Sequence, residues 1–319
     1  MPKKNNVALK PPAGESDSAA EAARRYHAMR THMPPSSPAS LRLGYSPCPN
    51  DTHIFYALAE GKVNTAPWQF QVTLADVEEL NQRARQKTLD ITKVSIHAIL
   101  HLLEDYWLLG AGGAIGRGCG PLVVARRPRT MSELRHKTLA IPGRLTTANL
   151  LLQLEGSHAG PKVEMLFSDI MPAVARGVVD AGVIIHEGRF TYRSMGLHKV
   201  LDLGSWWEEE TGLPLPLGGI VMRRSLGTDA AQFVEEKIRE SILYANAHPK
   251  EAWSYIHQHA QEMEPDIIHQ HIDMFVNHFS LEAGVEGERA TRFILEAAAK
   301  QEGIALPPQG IFRHEDPGC

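Results

Sequence analysis

The stretch Val183-Ile184-Ile185-His186-Glu187-Gly188-Arg189-Phe190-Thr191-Tyr192 decides the reading of this chain. Three consecutive β-branched residues predict a strand buried on both faces, as in parallel sheets. The strand stops at an ionisable His-Glu pair and a glycine. In open α/β sheets, ligands bind beyond the carboxyl ends of the strands. Histidine both takes and gives a proton near neutral pH. His186 is therefore a candidate general base, provided the rest of the chain builds a cleft around it.

The flanking sequence keeps a strand–helix rhythm. Residues 138–141, 163–167 and 183–185 predict strands, and 148–154 and 169–176 predict helices, the second stopped by Gly177. Right-handed parallel crossovers are expected for such a unit. Upstream, residues 41–45, 68–74, 89–94 and 122–125 read as strands, with helices at 53–60, 77–87 and 96–106. Pro47 and Pro49 are expected to delay the first helix, leaving Asn50, Asp51 and Thr52 as its N-caps. Downstream, a strand at 220–222 precedes helices at 233–246, 250–261, 265–275 and 288–301. The pattern predicts an α/β fold of two lobes around a central ligand cleft. Residues 41–127 plus 216–319 form the discontinuous first lobe, and 128–215 form the inserted second lobe. Such lobes commonly close on a ligand by hinge motion.

Composition excludes several classes. With a net charge of −4 over 319 residues, the chain has no basic footprint for nucleic acid and no polybasic membrane patch. Its longest apolar runs are too short to span a bilayer. Cys48, Cys119 and Cys319 form no CxxC pair, which argues against a disulfide framework or structural zinc and for reduced thiols in the cytoplasm. Residues 1–40 read as a disordered N-terminal extension, with at most a marginal helix at 19–29. No apolar h-region follows the basic start, so it is not a secretory signal.

The candidate contacts sit at strand-to-helix junctions. Ser46 and Asn50-Asp51-Thr52 follow the first strand, where free helix N–H groups bind carboxylates or hydroxyls; simple capping is the alternative. Lys93-Val94-Ser95 ends the third strand. There Lys93 either pairs with a substrate carboxylate or is merely solvated, and Ser95 either donates to substrate or caps. Thr146-Thr147-Ala148 opens a helix on the opposite wall, after a Pro142-Gly143-Arg144 turn that needs its glycine. The glycine-rich run from Gly110 to Gly120 fits neither GxGxxG nor a phosphate loop. It reads as a hinge or backbone wall, with Gly112 and Gly113 near ligand. Arg189 joins the candidates from the His186 segment. Trp206 to Pro214 reads as a packed crossover loop, or else as an aromatic cover for a flat ring.

Sixteen histidines raise a metal question. His97 and His101 share a helix face at i, i+4, whereas His257/His259 and His269/His271 at i, i+2 point apart. His186-Glu187 lacks the second histidine of HExxH, and no acidic or cysteine partner stands at metal spacing, so no metal is expected. No Gly-x-Ser-x-Gly elbow supports a hydrolase.

Taken together, Ser46 to Thr52, Thr92-Lys93-Val94-Ser95, Gly143 to Ala148, Gly182 to Tyr192 and Trp206 to Gly219 resemble the 1,4-dihydroxy-6-naphthoate synthase family, collinearly from Leu41 to Gly303. The resemblance implies a periplasmic-binding-protein-like fold (type II) serving as a cytoplasmic enzyme of menaquinone biosynthesis. It implies a lyase that splits cyclic dehypoxanthine futalosine into 1,4-dihydroxy-6-naphthoate and a ribose-derived fragment, with no metal or nucleotide cofactor. The family's base falls on His186, and its substrate contacts fall on Lys93, Val94, Ser95, Thr147 and Ala148. Some members carry a histidine where this chain has Leu145. The chemistry agrees with the residues: an imidazole removes a proton, and electrons from the broken carbon–carbon bond enter a nascent aromatic ring. Two rivals share the architecture, a non-enzymatic solute-binding protein and a chorismate-dehydratase-type enzyme; a cytosolic ligand sensor lacks an output domain. The oligomeric state, monomer or homodimer, and the role of Glu187 stay open.

Overall fold

Pro49 opens the first helix rather than delaying it. In the computed structural model, which describes residues 39–261, 264–308 and 310–315, helix α1 spans Pro49–Ala59 with Cys48 as N-cap. Proline suits the first helical position because the N–H it lacks would have no intrahelical partner there. Asn50, Asp51 and Thr52 consequently lie inside the first turn and are not caps. The expected extension and the helix at 19–29 lie outside the described residues, except that Ala39 and Ser40 already belong to strand β1 (Ala39–Tyr45).

The first sheet contains β1, β2 (Trp68–Leu74), β3 (Ile91–Ser95), β4 (Tyr106–Leu108), β5 (Ala114–Gly116) and a late strand introduced below. Helix α2 (Val77–Arg85) connects β2 to β3. After β3 only a single helical turn forms, Ile96–Ile99. The helix expected over 96–106 is cut short because Tyr106, Trp107 and Leu108 pair with the late strand. A long strand with a free edge outweighs the helical preference of six residues.

The second sheet takes β6 (Leu122–Ala125), β7 (Leu139–Ile141), β8 (Lys162–Glu164), β9 (Ala181–Ile184) and β10 (His198–Asp202) in the order β10-β6-β9-β7-β8. Helices α3 (Thr147–Glu155), α4 (Phe167–Arg176) and α5 (Leu203–Thr211) join or follow these strands. β9 runs parallel to β7 but antiparallel to β6, with Leu122 opposite Ile184. Leu122–Ala125 was expected in the first lobe, yet all its ladder partners are in the second sheet. Linear rhythm reveals a strand but not which strand it hydrogen-bonds.

The chain then returns to the first sheet through β11 (Leu215–Arg223), which lies antiparallel to β3, β4 and β5. Helices α6 (Thr228–Ala247), α7 (Pro249–His259), α8 (Pro265–Phe275) and α9 (Gly284–Glu302) complete the described fold. α1 packs against α6, α7 and α8. The two sheets are thus joined by two passages, at 117–121 and 212–214. No helix among the described residues is long and apolar enough to cross a membrane.

Both faces of the second sheet are covered. On β6, Val123 and Ala125 pack into a cluster with α3, Trp207 and α9, while Leu122 and Val124 pack with Ile170 and Val174 of α4. That is why the strand is apolar at every position. Trp207 sits on a helix, not in a crossover loop, and is 1% exposed. Its Nε1–H donates to the Pro214 carbonyl at 3.1 Å, so the packing reading of this segment holds.

The first passage depends on close backbone approach. A Cβ on Gly204 would overlap the carbonyl oxygen of Cys119. We expect Gly204→Ala to lower unfolding free energy by about 1–3 kcal/mol, because the obstacle is backbone that must shift. Gly113→Ala, whose new methyl would meet nothing nearer than 3.6 Å, serves as the control. Equal urea midpoints for the two variants would contradict this account.

Candidate active site

One cavity gathers the strand ends of both sheets. Its empty space, counting the part open to solvent, is about 680 Å³. Ser46, Asn50 and Asp51 line it from the β1–α1 junction, and Lys93, Val94 and Ser95 from the end of β3. Thr146, Thr147 and Ala148 face them from the start of α3, and Ile185 and His186 from beyond β9. Gly120-Pro121 and Leu217-Gly218 add backbone near the two passages, while His271 and Phe275 come from α8.

A buried ion pair organises the first wall. Lys93 and Asp51 are 4% and 3% exposed, and Lys93 Nζ donates to Asp51 Oδ1 at 2.7 Å and to the Gly112 carbonyl at 3.0 Å. Asp51 Oδ2 accepts from Ser46 Oγ at 2.8 Å, and Oδ1 accepts from Asn50 Nδ2 at 2.8 Å. Lys93 is therefore neither solvated nor a free cation awaiting a carboxylate; its charge is answered inside the protein. Of three ammonium donors, two are accounted for by these bonds. The Ser95 N–H donates to Asn81 Oδ1 at 2.9 Å, and Ser95 Oγ accepts from Asn81 Nδ2 at 3.2 Å. These bonds leave the Ser95 hydroxyl hydrogen for the cavity.

The opposite wall is a helix start. Thr146 caps α3, accepting from the Asn149 N–H at 3.3 Å and donating to the Gly143 carbonyl at 2.7 Å. Thr147 Oγ1 donates to the Leu217 carbonyl at 2.6 Å. The first-turn N–H groups of Thr147 and Ala148 have no acceptor within their helix, as at any helix start, and the dipole there favours an anion. The neighbouring Leu145 N–H donates to Glu78 Oε2 of α2 at 3.2 Å, bridging from one wall to the other. Burial pushes the Glu78 carboxyl above its ordinary value, opposed by hydrogen bonds from Gln82, Asn81 and Leu145. Position 145 thus acts through its backbone, whatever its side chain.

His186 occupies the left-handed region, with φ of 55°. Its Nδ1 lies 3.4 Å from Cys48 Sγ, a contact that joins the ends of β1 and β9. Burial, and then the nearby Glu187 charge, push the Cys48 thiol well above its ordinary value, so the group is a neutral thiol rather than a nucleophilic thiolate. Phe167 meets the imidazole edge-on, with ring centres 4.8 Å apart. His186 Nε2 is buried without a hydrogen-bond partner among the described residues.

Behind His186 stands His271, stacked at 6.0 Å between ring centres and 1% exposed. Because the Asn50 amide nitrogen donates to Asp51, its oxygen faces His271 and accepts from Nε2 at 2.9 Å. The proton of His271 is thereby placed on Nε2. Burial, reinforced by His186, holds the His271 pKa well below 6.5. Its Nδ1 lies 4.0 Å from Glu187 Oε2, and neither atom has a hydrogen-bond partner among the described residues.

Four expected contacts lie outside the cavity lining. Thr52 Oγ1 bonds back to the Cys48 and Pro49 carbonyls within its own helix turn. Gly112 presents its carbonyl to Lys93, and Gly113 presents its own to Ser280 Oγ. Arg189 grips Asp202 at 2.7 Å and the carbonyls of Gly118 and Gly120, steadying the passage loop. Conversely, His271, Phe275, Leu217 and Glu78 went unrecognised in the sequence. His271 carried one signal: at i, i+2 from His269 it must face the other way, and that way is inward.

Comparison with known proteins places this architecture. Residues 41–300 match the family described as menaquinone biosynthesis. The chain is 50% identical over 275 residues to a 1,4-dihydroxy-6-naphthoate synthase of Thermus thermophilus, covering 86% of this chain and 99% of that protein. It is 45% identical over 279 residues to one from Streptomyces coelicolor, covering 85% and 98%. Among solved structures, it resembles an Archaeoglobus fulgidus protein at 36% identity and TM-score 0.78, covering 83% of this chain and 98% of the other. The periplasmic aliphatic sulphonate binding protein of Escherichia coli shares the fold at 11% identity and TM-score 0.60, covering 88% and 92%. The α/β architecture with two sheets is that of the periplasmic-binding-protein-like folds.

His271 gives stability a pH dependence of known sign. The unfolded chain takes up a proton as pH falls through about 6.5, while the folded state resists it until far lower. Stability is thus full above that pH and falls below it, by about 1.4 kcal/mol per pH unit for each such histidine. His53 and His101, also lowered chiefly by burial, add to the slope. We expect His271→Gln, which keeps a donor for Asn50, to show a shallower decline between pH 6.5 and 5 in urea titrations. Parallel curves would show that His271 is not the source.

Proposed function

This chain belongs to the menaquinone biosynthesis family that includes the 1,4-dihydroxy-6-naphthoate synthases, and we propose that it cleaves cyclic dehypoxanthine futalosine with His186 as general base. The observation that carries the assignment is the state of the two imidazole nitrogens. Nδ1 is engaged by Cys48, and Nε2 is buried with no hydrogen-bond partner among the described residues, in a side chain that lines the cavity. The reading takes the tautomer with Nδ1–H directed at the sulfur, in which Nε2 holds the lone pair. It takes a hydroxyl proton from the substrate, the adjacent carbon–carbon bond breaks, and its electron pair enters the ring that becomes aromatic. The products are 1,4-dihydroxy-6-naphthoate and a ribose-derived fragment. The reaction is a lyase step, and aromatisation supplies its driving force without a redox or metal cofactor.

The rest of the cavity serves binding. The N–H groups of Thr147 and Ala148 and the hydroxyl of Ser95 hold a carboxylate or hydroxyls of the substrate, while the Lys93–Asp51 pair keeps Ser46 and Asn50 in place. The two sheets are taken as cores of two lobes that close on the substrate, with the hinge at 117–121 and 212–214 and with Leu122–Ala125 moved to the second lobe. Closure excludes water and aligns the scissile bond. The free thiols of Cys48 and Cys119 suit a cytoplasmic enzyme.

The test is turnover. Purified protein mixed with cyclic dehypoxanthine futalosine is expected to generate the naphthoate chromophore and to leave chorismate unchanged. His186→Asn, chosen because asparagine tolerates the left-handed backbone at this position, is expected to lose about 10²–10⁴-fold in rate while melting close to wild type. Binding without cleavage would convert the reading to a solute-binding protein, and turnover of chorismate to a dehydratase. Undiminished activity in the variant would remove His186 from the chemistry.

A further inference from the structure

His97 and His101 stand on the chain that leaves the cavity wall, immediately after Ser95, and the proposed reaction does not use them. Of the acidic residues that follow closely in sequence, Glu104 and Asp105, neither joins them, and Asp105 pairs with Lys87. The fold supplies the partner: Glu302, the last residue of α9, brings its carboxylate between the two imidazoles. His97 Nε2 lies 2.5 Å from Glu302 Oε1, and His101 Nε2 lies 3.2 Å from Oε2. One ligand atom from each residue falls within a sphere of contact no wider than 4.8 Å.

We propose that His97, His101 and Glu302 form a divalent transition-metal site, with zinc as its natural occupant. Two imidazole nitrogens and a carboxylate are a donor set that zinc accepts; the 2.5 Å contact between His97 and Glu302 is a hydrogen bond that zinc would replace, spreading the two atoms to about 3.3 Å for tetrahedral geometry with a fourth position left to solvent. Access exists on one side, where His101 and Glu302 are 22% and 25% exposed at their side chains, while His97 is buried at 3%. The buried Nδ1 of His97 has no acceptor among the described residues. Anchoring of that second nitrogen normally strengthens a site, and its lack makes this one about 10–100-fold weaker than a fully supported site.

A cation here ties the end of α9 to the turn that follows Lys93, Val94 and Ser95. The site is a clamp on the cavity wall and takes no part in bond cleavage, so it stands whether or not the proposed reaction is correct.

The experiment uses the full chain, treated with EDTA and dialysed, then titrated with zinc in competition with a chromophoric chelator. Cobalt spectroscopy reports the coordination geometry. Wild type is expected to bind zinc and to melt at higher temperature with it than with EDTA. Glu302→Gln and His101→Ala, both at part-exposed positions, are each expected to weaken binding at least tenfold, to abolish the thermal shift and to remove the tetrahedral cobalt bands. Should one variant fail to fold, the other decides. The proposal is overturned if wild type binds no zinc, or if it binds zinc as strongly with either substitution in place, which would assign the metal to other histidines.

Discussion

A buried ammonium must be neutralised where it stands, and the first wall of the cavity is arranged around that requirement. Lys93 stands in the middle of a strand buried at every position and is itself 4% exposed, so its charge is answered within the protein. Asp51 answers it from the first turn of α1, a place open to it because Pro49 starts the helix early. The carboxylate then draws in Ser46 and the amide of Asn50. That orientation of Asn50 dictates which nitrogen of His271 carries the proton. One ion pair thereby sets the polarity of three further side chains, and loss of either partner would leave an uncompensated charge in the interior.

The second wall is simpler and relies on backbone. The start of α3 offers N–H groups whose donors no helical carbonyl can satisfy, and Thr146 caps only one position. Among the contacts that connect the walls are Cys48 to His186, the Leu145 N–H to Glu78, and Thr147 Oγ1 to the Leu217 carbonyl at 2.6 Å. The first two are weak. The first involves a neutral thiol, and the second a carboxyl whose pKa is raised by burial.

Some errors in reading the sequence share a cause with its successes. Residue type at a strand end is a local property, so Ser46, Lys93, Ser95, Thr146, Thr147 and His186 were legible as candidates, and all six line the cavity. What each side chain bonds to is not local. Arg189 looked like a ligand contact because it follows His186, but Asp202 and two carbonyls claim it. Tyr106, Trp107 and Leu108 looked helical until β11 presented an edge to pair with. Leu122–Ala125 was read as a strand of the first lobe, yet its ladder partners lie in the second sheet, and a run apolar at every position carries no information about its neighbour.

The sequence by itself determined the α/β alternation, the strand ends that bear chemistry and the family to which the motifs point, because these depend on periodicities of a few residues and on side chains fixed to their own backbone. Only the tertiary structure decided that His271 stands 6.0 Å behind His186, that Glu302 reaches His97 and that Asp51 consumes the charge of Lys93. The reason is separation along the chain: Asn50 and His271 are 221 positions apart, and His97 and Glu302 are 205 positions apart. Contacts at such distances are set by how helices and sheets pack, which no local pattern encodes.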